Sequence, residues 1–162
     1  MKLSRLAWIA YGLAAAVIAV DQWVKAWVLN SLHLGDGRIV PILGPLQFSL
    51  VRNQGVSFGL LQGYPDLGRW LLSAFSLAVA IGLAVWARRL DKRWTAVAVG
   101  LVIGGAIGNM IDRVRLGSVV DFVDVHELGF FPWVFNVADS AITVGVILLL
   151  AESLFAGRKA AT

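Results

Sequence analysis

Two carboxylate groups in the C-terminal half of the chain have the surroundings of reactive groups. Asp121 lies in the apolar stretch 119–123, where burial would raise the pKa of its carboxyl group and allow it to hold a proton. Asp139 precedes the apolar run 141–151, which is typical of a membrane helix, and an ionisable group there indicates function. Two carboxylates at one depth could share a proton and activate a water molecule. They predict an intramembrane aspartic peptidase, although Asp139 could also cap its helix without losing a catalytic role.

The composition is that of a membrane protein. Of the 162 residues, 59% are hydrophobic and 15% are charged, and the mean hydropathy is +0.78. Such a chain has too little polar surface to cover a water-soluble globule. The net charge of +4 could indicate nucleic-acid binding, but the basic residues cluster at the ends of apolar runs, so we expect no nucleic-acid partner. Cysteine is absent, which excludes thiol chemistry.

Four apolar runs predict transmembrane helices, because each approaches the roughly 20 residues that cross a bilayer core. They indicate a membrane all-α protein with a single domain over residues 1–162. The helices are expected at about residues 6–28, 69–87, 95–112 and 137–156. The first run follows two basic residues, as in a signal peptide, but it is too long and no cleavage site follows it. We therefore expect it to remain as the first helix.

A β-rich insert is predicted at about residues 30–67, where glycine and proline interrupt the chain. Residues 46–50 alternate between apolar and polar types, as in a half-buried strand, and residues 39–42 suggest a partner strand. Because hydrocarbon does not tolerate an open sheet edge, this small β-sheet is expected to lie on the membrane rather than within it.

Basic residues cluster near both termini and between the second and third helices. The positive-inside rule puts these clusters, and both termini, in the cytoplasm. Counted from them at about 1.5 Å per residue, Asp21, Asp112 and Asp139 lie roughly 24 to 28 Å along their helices. That distance approaches the outer edge of a hydrocarbon core about 30 Å thick. We therefore expect one polar site just inside the outer leaflet, with the extracytoplasmic sheet above it.

The polar residues near the two carboxylates have structural explanations as well as functional ones. Asp21 and Lys25 are four positions apart on one helix face, so they could simply form an ion pair or could support the site. Asn109 and Asp112 share a face of the third helix. An ion pair between Asp112 and Arg113 that braces the site is favoured over a direct catalytic role.

The remaining titratable groups in this region are expected to be structural. Asp124 and Glu127 follow Asp121 at intervals of three residues and are interpreted as a solvated acidic face. His33 and His126 are isolated in the sequence, and their spacing does not suggest a metal site. We therefore expect neither a metal nor another cofactor.

A small transporter or channel is the main alternative, since intramembrane carboxylates also bind cations or relay protons. In a transporter the polar residues should follow a path across the bilayer, whereas here they cluster at one depth. The fourth helix carries no polar residue between Thr143 and Glu152. A non-catalytic assembly factor would leave the carboxylates unexplained.

Five blocks of sequence, in order along the chain, match the pattern of one known family. They are Asp21-Gln22-x-x-Lys25, Asn53-x-Gly55-x-x-Phe58-Gly59, Gly104-Gly105-Ala106-x-Gly108-Asn109-x-x-Asp112-Arg113, Val119-Val120-Asp121-Phe122 and Phe135-Asn136-x-Ala138-Asp139-x-x-Ile142. Together they resemble lipoprotein signal peptidase, also called signal peptidase II. Ser57 and the pair Trp133-Val134 depart from the residues common in that family, and these departures concern the loops only.

The resemblance implies four membrane helices with a periplasmic cradle of strands and an active site near the periplasmic leaflet. It also implies that Asp121 and Asp139 are a catalytic dyad. The residues that it implies bind the substrate or order the site are Asp21, Lys25, Asn53, Gly55, Asn109, Asp112, Arg113 and Asn136. The implied substrate is a prolipoprotein whose lipobox cysteine carries a diacylglyceryl group, and cleavage falls just before that cysteine. Membrane lipid and globomycin-type inhibitors are the other implied partners. The protein is expected to be a monomer in the bacterial cytoplasmic (inner) membrane.

Overall fold

The structure is a computed structural model that describes residues 4–34, 37–55, 65–129 and 134–160. Its elements are α1 (Arg5–Ser31), β1 (Val40–Leu43), β2 (Leu46–Asn53), α2 (Pro65–Ala87), α3 (Arg93–Leu116), β3 (Val119–Asp124), a 3₁₀ turn (His126–Leu128), β4 (Val134–Phe135) and α4 (Val137–Ala160). These four α-helices are long and apolar enough to cross a membrane, and the predicted fold class is confirmed. Residues 35–36 and 56–64 of the predicted insert lie outside the described residues, and so do Phe58, Gly59 and Trp133 of the sequence motifs.

The central helix of the bundle is α3, which contacts each of the other three helices. In its most apolar 18-residue stretch 67% of the residues are buried within the protein, against 17% to 28% in the other helices. Glycine permits this close packing. A Cβ atom on Gly100 would lie 2.6 Å from the carbonyl oxygen of Ala10, and one on Gly108 would lie 2.7 Å from Asp21 Oδ2. The backbones of α1 and α3 are therefore in near contact, which brings their polar residues together.

One stripe of side chains on α1 faces the bundle, with members three, four or seven residues apart because an α-helix has 3.6 residues per turn. The N-terminal part of the stripe is made of alanine, which lets α3 approach closely, and the C-terminal part carries two ionisable groups. Its buried members are Ala7, Ala10, Ala14, Asp21, Lys25 and Val28. The same face that packs the bundle therefore also carries a charged pair into it.

The described strands form one antiparallel sheet in the order β1-β2-β3-β4. The sequence predicted β1 and β2. The structure adds β3 and β4, which come from the segment between α3 and α4. In the β2–β3 pair, Val51 lies opposite Asp121 and Asn53 lies opposite Val119. This register places the end of β2 beside Asp121.

Apolar packing attaches the sheet to the C-terminal end of α1. Val28, Val120 and Phe122 belong to one buried cluster. The ring of Phe48 meets the rings of Trp27 and Phe122 edge to face, at centroid distances of 6.1 and 5.9 Å. The apolar surface that these rings remove from water, most of all that of the buried Phe122, stabilises the contact. The sheet is thereby held over the end of the bundle where α3 leads into β3 and α4 begins.

Candidate active site

Asp121 is almost completely buried on β3, with 1% of its surface exposed. Its two carboxylate oxygens accept hydrogen bonds from the side-chain amides of Asn53, at 2.9 Å, and Asn136, at 2.6 Å. Burial raises the pKa of Asp121 above its usual value; the two amide hydrogen bonds oppose this rise and the nearby charge of Asp139 adds to it. A carboxyl group in this environment is suited to holding a proton.

Asp139 is the third residue of α4 and takes part in a reciprocal cap of that helix. Its backbone N–H donates to Asn136 Oδ1 at 2.9 Å, and its Oδ2 accepts the backbone N–H of Asn136 at 3.2 Å. This is the capping-box arrangement, in which the cap residue and the third helical residue satisfy each other's N–H groups. The other oxygen of Asp139 accepts Asn109 Nδ2 at 2.7 Å. The capping role and a place in the site therefore coexist.

Two asparagines join the carboxylates into one hydrogen-bonded chain. The side-chain nitrogen of Asn136, which is completely buried, donates both to Asp121 and to Asn109 Oδ1, the latter at 3.2 Å. Asn109 in turn donates to Asp139. The chain from Asp121 to Asp139 thus passes through two amides whose orientations are fixed by their partners.

Asn53 is held in a similar way by the turn that follows β2. The backbone N–H of Gly55 donates to Asn53 Oδ1 at 2.8 Å, so the Nδ2 of Asn53 faces Asp121. Gly55 has a φ of 77°, a left-handed conformation that glycine adopts without the steric penalty of other residues. The turn therefore explains why position 55, which supports the site only through Asn53, is a glycine.

The two carboxylates line a single cavity of about 590 Å³. Its other lining residues come from β2, β4 and the first two turns of α4, and most of them are apolar. The lining consists of Asn53, Asp121, Val134, Phe135, Asp139, Ser140, Ile142, Thr143 and Val144. The cavity can therefore bring a mostly apolar ligand, together with a water molecule, against the carboxylate pair.

A buried ion triad lies next to the asparagine chain. Lys25 Nζ is 2.8 Å from Asp21 Oδ2 and 2.8 Å from Asp112 Oδ2, and all three side chains are at most 3% exposed. Asp21 Oδ1 also accepts the backbone N–H of Ala138, and Asp112 Oδ2 accepts that of Val120. The triad therefore connects α1 and α3 to the first turn of α4 and to the start of β3.

The ion pair expected between Asp112 and Arg113 is wrong, because the structure pairs Asp112 with Lys25. Neighbouring residues on an α-helix point about 100° apart, since 3.6 residues complete a turn. Arg113 therefore points in a different direction from Asp112, and its charge lies near those of Asp139, Asp121 and Asp112 without forming an ion pair with Asp112. The expected pairing of Asp21 with Lys25 is present.

Asp124 was expected on a solvated face, and this expectation is wrong. Only 4% of Asp124 is exposed, and it accepts hydrogen bonds from Gln47, from Ser49 and from both the backbone N–H and the Nδ1 of His126. Burial opposes its ionisation, but these hydrogen bonds outweigh burial and lower the pKa of Asp124 to about 2. The polar positions of the alternating strand, Gln47 and Ser49, were the signal for this cluster. Glu127 is exposed, as expected.

Within the described part of the chain, no group of three histidine, aspartate or glutamate side chains is arranged to hold a metal ion. Most of the predicted site residues do lie together in the structure. One connected network of hydrogen bonds and ion pairs contains Asp21, Lys25, Asn53, Asn109, Asp112, Asp121, Asn136 and Asp139.

Comparison with known proteins gives one consistent family. The family model described as signal peptidase (SPase) II matches residues 13–155. A lipoprotein signal peptidase of Caulobacter vibrioides is 53% identical over 154 residues, covering 94% of this chain and 90% of the relative. One of Methylorubrum extorquens is 48% identical over 142 residues, covering 86% and 81%. A solved bacterial membrane enzyme is similar with a TM-score of 0.78 and 30% identity, covering 90% of this chain and 92% of the other.

Proposed function

The chain belongs to the signal peptidase II family of membrane peptidases, and we propose that it cleaves prolipoproteins by an aspartic mechanism in which Asp121 and Asp139 activate water. One observation carries the proposal. Two carboxylates from different elements line one cavity and are linked through two buried amides. That is the arrangement an aspartic peptidase requires, since two nearby carboxylates resist double ionisation and share a proton.

In the proposed reaction one aspartate is ionised and accepts a proton from a water molecule. The water oxygen forms a bond to the scissile carbonyl carbon. The other aspartate is protonated and donates a hydrogen bond to the carbonyl oxygen as negative charge develops there. The C–N bond then breaks, and a proton passes to the leaving amine. The pair titrates as a unit, so its pH profile belongs to both residues.

The asparagines hold the pair ready for this reaction. Each of the four carboxylate oxygens accepts a hydrogen bond, from Asn53, Asn109 or Asn136. These bonds leave the remaining lone pairs for water and substrate, and they need no rearrangement when charge develops. Gly55 contributes by orienting Asn53. Arg113, whose charge acts on both aspartates, is proposed to order the site or to bind the substrate backbone.

The proposed substrate is a prolipoprotein whose cysteine carries a diacylglyceryl group, with cleavage just before that cysteine. The apolar residues of the lining are Val134, Phe135, Ile142 and Val144. They support a lipid-modified substrate, because transfer of acyl chains from water to apolar surroundings is favourable. Globomycin-type inhibitors are proposed to occupy the same cavity. The protein is proposed to act as a monomer in the bacterial inner membrane, with both termini in the cytoplasm and the cavity near the periplasmic leaflet.

A gel-shift cleavage assay on a diacylglyceryl-modified prolipoprotein tests the proposal. Purified wild type should process the substrate, whereas Asp121→Asn and Asp139→Asn should be inactive while remaining folded. Asp124→Asn is the matched control, because Asp124 is equally buried on the same strand but hydrogen-bonds to a different set of residues. This variant should still cleave. Processing by all variants would move the chemistry to other residues, and a folded wild type without activity would reject the peptidase function.

A further inference from the structure

Lys25 sits at the junction between the ion triad and the asparagine chain. Its ammonium group has three donor hydrogens and no acceptor, and three acceptors surround it. Two are carboxylate oxygens of Asp21 and Asp112, both at 2.8 Å. The third is Asn109 Oδ1 at 3.3 Å. Only 3% of Lys25 is exposed, so water does not compete effectively for these contacts.

The third contact favours one of the two possible orientations of the Asn109 amide. Since an ammonium group only donates, the oxygen of Asn109 must face Lys25, and its nitrogen must then face Asp139, where it donates at 2.7 Å. The opposite orientation would set an NH₂ group against the ammonium. Asn136 Nδ2 also donates to Asn109 Oδ1, at 3.2 Å, but Lys25 supplies the charged donor, and charged donors form the stronger hydrogen bonds.

We propose that Lys25 is a positioning residue for catalysis, whose ammonium group holds the amide of Asn109 in the orientation that donates to Asp139. The proposal rests on the peptidase function proposed above and adds the residue that aligns one member of the pair. If Lys25 only joined α1 to α3, its two carboxylate contacts would suffice. Its contact with Asn109 connects it to the catalytic pair instead.

The expected effect of Lys25→Met is a fall in kcat per folded molecule with little change in KM. Lys25 does not line the cavity, so the substrate should bind as before. A catalytic group displaced by about 1 Å can lower the rate on the order of a hundredfold, and a partial loss of alignment should give about tenfold or more. Folded protein is quantified by thermal unfolding and size-exclusion chromatography in detergent.

A double-mutant cycle with Asn109→Ala separates positioning from a purely structural role. If Lys25 acts through Asn109, Lys25→Met should lower kcat in the wild-type background and hardly at all once Asn109 is alanine. Gln22→Met is the matched control. Gln22 donates to Asp112 at 2.8 Å and to the backbone of Gly108, but not to Asn109. Gln22→Met should therefore lower kcat by the same factor whether residue 109 is asparagine or alanine.

A second variant covers the case in which Lys25→Met does not fold because two carboxylates are left without a cation. Lys25→Met with Asp112→Asn removes one positive and one negative charge, and it is compared with Asp112→Asn alone in the same cycle. Independent, multiplying effects of Lys25 and Asn109 in either cycle would overturn the positioning role. Inactive wild type, or active Asp121→Asn, would instead reject the peptidase function itself.

Discussion

Asp124→Asn should reduce stability at neutral pH, and the reduction should disappear in acid. The folded-state pKa of Asp124 is about 2, against 3.8 for the unperturbed group. At about 1.4 kcal/mol per pKa unit, the difference corresponds to at most about 2–3 kcal/mol of stabilisation. The half-exposed ring of His126 leaves one side of the contact near water, which reduces this figure. Because the folded-state value is the lower one, the stabilisation is complete above the unfolded-state pKa and is lost as the pH falls toward 2.

Thermal or chemical unfolding in detergent micelles between pH 7 and pH 2 measures this effect as the difference between wild type and variant. Glu127→Gln is the matched control, because Glu127 is an exposed acid in the same segment. Its stability should follow that of wild type at every pH. A wild-type advantage over Asp124→Asn that stays constant from pH 7 to pH 2 would refute the assignment of this stabilisation to the ionised Asp124 carboxylate.

Two further substitutions test contacts between helices at opposite ends of the bundle. Gly108→Ala should destabilise the protein by about 1–3 kcal/mol and slow cleavage, because its methyl group would lie 2.7 Å from Asp21 Oδ2. Gly82→Ala is its control, since nothing lies within 4 Å of the added carbon, and equal losses in both variants would contradict the packing argument. Thr95→Val removes a hydrogen bond to Glu152 near the opposite end of the bundle, so it should lower the melting temperature in detergent but not the cleavage rate per folded molecule. A slower rate would contradict this separation.

Asn136 illustrates a part of the site that residue types alone did not reveal. It caps α4 through its side-chain oxygen and donates through its side-chain nitrogen to Asp121 and Asn109. In the sequence Asn136 is one of several polar residues that precede an apolar run, and only the resemblance to a family singled it out. Its three contacts come from residues 3, 15 and 27 positions away, a combination that depends on how the elements pack.

Local pattern was sufficient to identify the helices and to place three of their polar residues at one predicted level. The length of each apolar run sets a membrane helix, and the regular rise of the α-helix allowed Asp21, Asp112 and Asp139 to be placed at one level before any contact was known. In the structure Asp21 and Asp112 bind the same lysine, and Asp21 also binds the first turn of α4. The apolar surroundings of Asp121 and Asp139 also predicted that the two carboxylates belong to one site, and in the structure both line one cavity.

Tertiary packing decided which polar groups became partners. The rotation of α3 about its axis turned Asp112 toward Lys25 of α1, and the pairing of β2 with β3 buried Asp124 beneath Gln47 and Ser49. Hydrophobic length and periodicity are properties of a single segment, so they can be determined from the sequence. Hydrogen bonds and ion pairs depend on the distance and angle between two segments, and these are set only when the whole bundle and its sheet pack together.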